Sequence, residues 1–493
     1  MNAFENELQT ALRRGVPGQL GGVVDAMWLE PERLHGPEWS YRTADGKVGG
    51  LILGYRNSRG IGSVDNRHVL TVAGSRGGKG VSLIVPNLLM YEGSVLAIDP
   101  KGELARITSR ARRDKGQKVV VLDPFGESGL ASGSFNPLDE LDPAGKHVKD
   151  DAALIADALI IGNEREPHWT DSARILIKAL ILFTLTLEEE RDRNLITVWR
   201  LLTGTHPSVL HVAKGKEISK RAALFALLQG CKGVFDDTVA AAGSNFAQMA
   251  ERELASVFST ALTQLEFLDS NAMAGVLEQS DLNLSELKSE KATLYLCLPA
   301  TRMGTHSRWL RVIINLALVA FERTKVKVDI PVLLVLDEFP VLGHMKSVET
   351  AAGLMAGFGV KLWVVLQDLT QIKRLYRESW ETFIGNAGVM TFWSNSDKTT
   401  LDYISDKLGQ TGVRLEHRND TTMHQRMSGA SGARDELRVQ RLAAAHELEE
   451  MLERGKRRIL VKAAGQSPII LQRIHYYEDA PFAGLWDKVP EQG

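Results

Sequence analysis

Residues Val69–Ser82 read V-L-T-V-A-G-S-R-G-G-K-G-V-S, an apolar strand running into a glycine-rich turn with one lysine, and an apolar helical stretch follows at Leu83–Leu89. Glycines at 74, 77, 78 and 80 let backbone N–H groups turn inward around an anion, and Lys79 adds a point charge for the outer phosphates. Strand, loop and helix in this order predict a grip on a nucleoside triphosphate. The lining residues are Gly74, Ser75, Arg76, Gly77, Gly78, Lys79, Gly80 and Val81.

Two departures from the usual loop carry information. Ala73 stands where the first glycine is expected, and Gly80 replaces the Ser or Thr that normally follows the lysine and ligates magnesium. Ser82 lies two residues further on, on the wrong face of a regular helix. The metal is therefore expected to lean on water and a distant aspartate.

That aspartate closes a second apolar strand, Ile330-Pro-Val-Leu-Leu-Val-Leu-Asp337-Glu338-Phe-Pro340. A continuous Val/Leu run ending in Asp-Glu is how a buried parallel strand delivers carboxylates to the carboxyl edge of a sheet, where ligands sit. Asp337 is expected to hold Mg2+, directly or through water, and Glu338 to polarise the attacking water. A third strand, Lys361–Leu366, ends in Gln367, which can orient that water or sense the γ-phosphate. Singly, each acid reads equally well as a solvated strand end and Gln367 as a loop hydrogen bond. Following a phosphate loop in this order, they point to ATPase chemistry with Lys79, Asp337, Glu338 and Gln367 as the working groups.

The chain has 493 residues, 44% of them apolar, enough for two or three domains with substantial cores. Its net charge of −2 provides no global basic coat for nucleic acid, so any DNA contact must be local or built by assembly. The basic runs Arg106–Lys118 and Arg454–Arg458 read as a solvated helix face and turn. Cys231 and Cys297 lie far apart and suggest neither disulfide framework nor zinc site, which fits a reducing cytoplasm. Met1–Arg14 lacks a signal-peptide core, and the apolar run Ile175–Leu187, interrupted by Lys178, is too short to cross a bilayer of about 30 Å.

Along the chain, Gly93–Ile98 forms a strand ending in Asp99-Pro-Lys-Gly-Glu103, followed by a basic helix and the strand Lys118–Leu122. This alternation predicts a three-layer α/β core with a mostly parallel sheet. From about Asp139 the texture becomes long amphipathic stretches, such as Asp150–Ile161, Thr170–Glu189 and Thr238–Ser270, about 130 residues of helix. Strands resume at Ala292–Leu298, Val332–Leu336, Leu362–Leu366 and Val389–Trp393, so the sheet is completed after the helical insertion. Residues 416–438 are polar and glycine-containing, and read as a flexible loop. Arg458–Lys462 and Pro468–Gln472 are expected to close the chain as a strand pair.

These residues resemble the TraG-like coupling proteins of type IV secretion and conjugative DNA transfer. The resemblance covers Gly60–Phe482: G-S-R-G-G-K-G followed by P-N-L-L, G-S-V-L-A-I-D-P-K-G-E, F-N-P-L at Phe135–Leu138, H-W-T-D-S-A-R at His168–Arg174, L-D-E-F-P-V-L-G at Leu336–Gly343, L-Q-D-L-T-Q-I at Leu366–Ile372 and I-G-N-A-G-V at Ile384–Val389. A glycine after the lysine is itself a habit of that family. The resemblance implies a RecA-like P-loop NTPase core (46–138 and 290–493) with an inserted all-α domain (139–289), whereas residues 1–45 depart from it and read as a soluble lead-in. It also implies ATP and Mg2+ as ligands and assembly into a homo-hexamer. By the same carry-over, Lys79 and Gly80 bind phosphate, Asp337 and Glu338 form the acidic strand end, and Gln367 is the polar sensor. Asp99, Lys101 and Glu103 match a further motif of undecided role.

Family members usually begin with transmembrane helices, and this chain is expected to lack them. It is thus expected in the cytoplasm, peripheral at the inner face of the membrane, docking through type IV secretion channel components or a separate membrane-anchor subunit. The expected function is ATP-driven transfer of single-stranded DNA, with its relaxase, or of protein substrates. The alternatives are a double-stranded DNA motor of the FtsK/HerA type and a nucleotide-switched docking receptor. A ring motor also needs a cation supplied between subunits, for which Arg302, Arg308, Arg374 and Lys361 are candidates.

Overall fold

The computed structural model describes residues 26–162, 167–418 and 433–488. In chain order its strands are β1 (Leu51–Arg56), β2 (Arg59–Ser63), β3 (His68–Ala73), β4 (Val95–Asp99), β5 (Lys118–Leu122), β6 (Ala292–Cys297), β7 (Val332–Leu336), β8 (Val360–Leu366), β9 (Ala387–Trp393), β10 (Gln410–Arg418), β11 (Ala433–Arg441), β12 (Arg458–Ala463) and β13 (Ile469–Gln472). The chain packs into two compact units, one ending at Glu92 and resuming over Lys361–Leu485, the other spanning Gly93–Val360 and taking up the chain again from Trp486.

In the first unit the strands lie in the order β2-β1-β13-β12-β9-β3-β8. β9, β3 and β8 run parallel, and every residue of all three is buried. The remainder, β2 through β12 to β9, is antiparallel. The β1–β2 hairpin closes through Asn57 (φ 48°) and Ser58 (φ 62°), the left-handed pair a two-residue turn requires. β10 and β11 form a separate antiparallel ribbon, Gln410 opposite Arg441 through to Arg418 opposite Ala433. The ends of the segment expected as a flexible loop, 416–418 and 433–438, therefore belong to ladders, while 419–432 lies outside the described residues.

The second unit carries the parallel sheet β7-β4-β6-β5. β4, β6 and β7 are buried throughout, as expected for strands covered on both faces. Between β5 and β6 the chain is helical, with helices at Val148–Leu159, Pro167–Leu185, Leu195–Leu202, Pro207–Lys216, Lys220–Gly230, Thr238–Gln248, Glu251–Leu265 and Asn271–Leu277. The Met303–Arg323 helix links β6 to β7. Its Arg323 grips Asp151 of the Val148–Leu159 helix through two 2.7 Å bonds, and Lys288 Nζ donates to its terminal carbonyls at Phe321 and Thr324. Among the described residues no helix is long and apolar enough to cross a membrane.

Candidate nucleotide site

β3 ends at Ala73, level with Trp393 of β9, and β8 ends level with it on the other side, Val72 facing Leu366. The loop that follows is shaped by its neighbours. A Cβ on Gly74 would sit 1.8 Å from the Ser394 carbonyl oxygen, and one on Gly77 would sit 2.8 Å from the Gly74 carbonyl. Gly78 has φ +76°, in the left-handed region where a side chain is strained. Gly80 is different, because a Cβ there meets nothing within 4 Å. Three glycines thus make room for a backbone cradle, and the fourth does not.

Lys79 opens the helix, whose first turn, Gly80–Ile84, is a π turn in which the Val85 N–H reaches back to the Gly80 carbonyl. The next residue but one explains the widening. Pro86 has no N–H for the Ser82 carbonyl four residues earlier, and its ring would clash with that carbonyl in a regular helix. Ser82 is buried and its Oγ finds no partner. Ser75 and Arg76 are exposed at the loop's tip. Asn87, also buried, accepts from the Ile52 N–H at 2.8 Å and donates to the Ile52 and Leu83 carbonyls, tying the helix to β1.

Gln367 follows β8 in the same unit, one step beyond the Val72–Leu366 register pair. Its N–H donates to Gln371 Oε1 (2.9 Å) and its carbonyl accepts from Asn395 Nδ2 (3.2 Å). Sequence reasoning missed three neighbours here: Trp393, Ser394 and Arg473. The indole of Trp393 (2.7 Å) and the guanidinium of Arg473 (2.6 Å) both donate to the carbonyl of Gly77. Each stands at a strand end, but nothing in the sequence places those strands beside the loop.

Asp337 and Glu338 belong to the second unit. Asp337 follows β7 at the level where Asp99 ends β4, the register pairing Ile98 with Leu336. Glu338 takes a left-handed backbone (φ 60°, ψ 44°), a costly conformation for a residue with a side chain, and its N–H donates to Asp337 Oδ1 at 3.1 Å. Asp99 is buried, and desolvation, with the Asp337 charge adding, pushes its pKa up to about 7. Its carboxyl accepts from the Ala105 N–H (2.8 Å) and the Lys101 N–H (3.4 Å), capping the Glu103–Asp114 helix, while Lys101 and Glu103 are exposed. The motif of undecided role therefore has a structural task at Asp99.

The turn after Glu338 is braced by Arg311, buried in the Met303–Arg323 helix. Its Nη1 donates to the carbonyls of Leu342 (2.6 Å) and His344 (2.9 Å), and its Nε to that of Ala158 (3.1 Å) at the end of the Val148–Leu159 helix. Of the four candidate intersubunit cations, Arg302 and Arg374 are exposed and Arg308 is half-buried with its Nε on Gln264. Lys361 drops out. It is 1% exposed within β8, and burial pushes its pKa down to about 8.

Lys79 and Gln367 thus stand in one unit, and Asp337 and Glu338 in the other. The cradle that refuses Cβ atoms, together with a single lysine, fits a polyphosphate. Among the described residues no cluster of three or more His, Cys, Asp or Glu side chains has metal-holding geometry.

A sequence model described as type IV secretory system conjugative DNA transfer matches residues 32–491. The chain is similar to the conjugal transfer protein TraG of Rhizobium radiobacter, 28% identical over 419 residues that make up 83% of this chain and 62% of that protein. It is also similar to the protein VirD4 of Agrobacterium fabrum (strain C58), 25% identical over 433 residues, 85% of this chain and 60% of that one. The chain spans about six-tenths of the length of these curated relatives. Among solved structures, the plasmid coupling protein TrwB in complex with the ATP analogue ADPNP superposes with a TM-score of 0.63 at 13% identity, covering 93% of this chain and 97% of that one. Identity that low bears on the fold, which is shared.

Proposed function

The chain belongs to the type IV secretory system conjugative DNA transfer family, and from that membership we propose that it is a coupling ATPase. It recruits single-stranded DNA with an attached relaxase, or protein substrates, and drives them toward a type IV secretion channel. The observation that carries this reading is the loop after β3, where Gly74, Gly77 and Gly78 form a cradle closed to side chains and Lys79 opens the helix. The relatives' names supply the cargo class, conjugal transfer. TrwB has been solved with ADPNP and with ADP and Mg2+.

In this reading the loop Gly74–Val81 and the Lys79 ammonium hold the phosphates, through N–H groups other than those of Gly74 and Gly77, which donate to the Trp393 and Gly74 carbonyls, and Asp337 would take the metal. Glu338 orients and polarises the attacking water, and Gln367 senses the outer phosphate. Magnesium, when bound, neutralises charge on the outer phosphates. Residues 46–138 and 290–493 act as the discontinuous nucleotide domain, and 139–289 as the all-α domain facing substrate. The working form is a homo-hexamer at the cytoplasmic face of the membrane, held there by channel components or a separate anchor subunit.

The test is ATP turnover of the wild type and Lys79→Ala, with and without single-stranded DNA, alongside mass in solution. Turnover that rises with DNA, follows a large oligomer and falls about 100-fold or more in Lys79→Ala supports the motor. Absence of turnover in an assembled, DNA-loaded ring would sink it.

A further inference from the structure

Arg473 follows β13 and is 5% exposed, yet no catalytic assignment uses it. Its Nη1 donates to the Gly77 carbonyl at 2.6 Å, its Nη2 to the Arg454 carbonyl, and its own N–H to the Arg457 carbonyl at 2.8 Å. Its Nε is buried without a partner. The basic turn Arg454–Arg458, read from sequence as merely solvated, thus supplies a collar of backbone carbonyls that seats this guanidinium against the phosphate loop. The Trp393 indole donates to the same Gly77 carbonyl at 2.7 Å.

We propose that Arg473 is a positioning residue of the nucleotide site: with Trp393 it anchors the Gly77 carbonyl and so turns and polarises the Gly77–Gly78 peptide toward bound phosphate. A trans peptide holds its C=O and N–H on opposite sides. With the carbonyl fixed on Arg473 and Trp393, the Gly78 N–H is directed away from them, into the cradle. A cationic donor on the carbonyl draws electron density from the peptide and makes that N–H a stronger donor, as in any hydrogen-bonded chain.

The electrostatics agree with this role. Burial, then the neighbouring Arg457 and Arg454 charges, push the Arg473 pKa down to about 10, so the group remains cationic at neutral pH in a crowded positive surrounding. A polyphosphate in the loop relieves that crowding.

This inference rests on nucleotide binding at the loop, and the experiment separates the two. A fluorescent ATP analogue and ADP are titrated into the full chain as wild type, Lys79→Ala, Arg473→Lys, Arg473→Gln, Trp393→Phe and the Trp393→Phe/Arg473→Gln double variant, with the nucleotide-free melting temperature of each. Arg473→Gln is expected to weaken both nucleotides about tenfold or more, the scale of a charge-assisted hydrogen bond. Arg473→Lys should recover much of that loss because it keeps a cation for the carbonyl. The double variant should depart from the product of the single losses, since both side chains act on one oxygen. Arg473→Gln binding within about twofold of wild type would overturn the proposal, as would Lys and Gln variants equally impaired with equal drops in melting temperature. If the wild type itself bound no nucleotide, the reading of the loop would fall, and this one with it.

Discussion

At the phosphate loop, two glycines within five residues of Lys79 have opposite tolerances. Gly74 faces the Ser394 carbonyl at 1.8 Å from a would-be Cβ, whereas Gly80 faces open space. Gly74→Ala should therefore distort the loop and abolish nucleotide binding. Gly80→Ser should fold as well as or better than wild type, because serine is a better helix former by a few tenths of a kcal/mol. It also restores the hydroxyl customary for metal at this place, so a steeper magnesium dependence of nucleotide affinity is expected in an equilibrium titration. The loss of Lys361 from the candidate intersubunit cations has its own measurable consequence. Its folded pKa, about 8, lies below the usual 10.5, so between those values the unfolded chain binds more protons and stability rises with pH. At pH 7 the buried ammonium costs on the order of 3 kcal/mol. Lys361→Met should raise the melting temperature at pH 7, with the gain shrinking above pH 8 and gone near 10.5. Asp65, which faces Lys361, keeps Arg67 at 2.9 Å in the variant. A gain that is the same at every pH would contradict this account.

Among the elements, the helix after the loop is held in place by Asn87. Only Tyr55 of β1 registers with β13, at Gln472, so Ile52 lies beyond that ladder, and the Asn87 amide satisfies both its N–H and its carbonyl. Asn87→Leu should destabilise by about 3 kcal/mol, read by denaturant unfolding, because two backbone groups are left buried and unpaired. The elements legible in the sequence were those whose burial writes itself into composition. β3, β4, β6, β7 and β8 are apolar runs, three of them closed by Asp99, Asp337 and Gln367, and the helices between β5 and β6 are amphipathic. The β1–β2 hairpin left little trace, since its strands carry Gly54, Gly60 and Gly62 and its turn is Asn-Ser instead of Asn-Gly. The β10–β11 ribbon is polar enough to read as loop. Lys79 could be picked out as a candidate by its glycine-rich loop, and Asp337, Glu338 and Gln367 by the strand ends they follow. Arg473 could not, because a lone arginine acquires its place only when β13 lies within reach of the loop.

For the whole molecule, the family match covers residues 32–491, and the helical stretch and both strand groups fall inside it. The three carbonyls gathered by Arg311 have a mechanical consequence. Ala158 ends one of the helices between β5 and β6, while Leu342 and His344 belong to the turn that leaves Asp337 and Glu338. Pulling the two apart would strand a guanidinium in the protein interior, a penalty of several kcal/mol, so a load on the Val148–Leu159 helix is transmitted to the acidic turn instead of being absorbed between them. In the proposed DNA-stimulated ATPase, Arg311→Met should uncouple them, leaving basal turnover measurable while removing its rise with DNA. In the proposed motor, a hydrolysis cycle and a gripping surface that share one such strut can only keep time together.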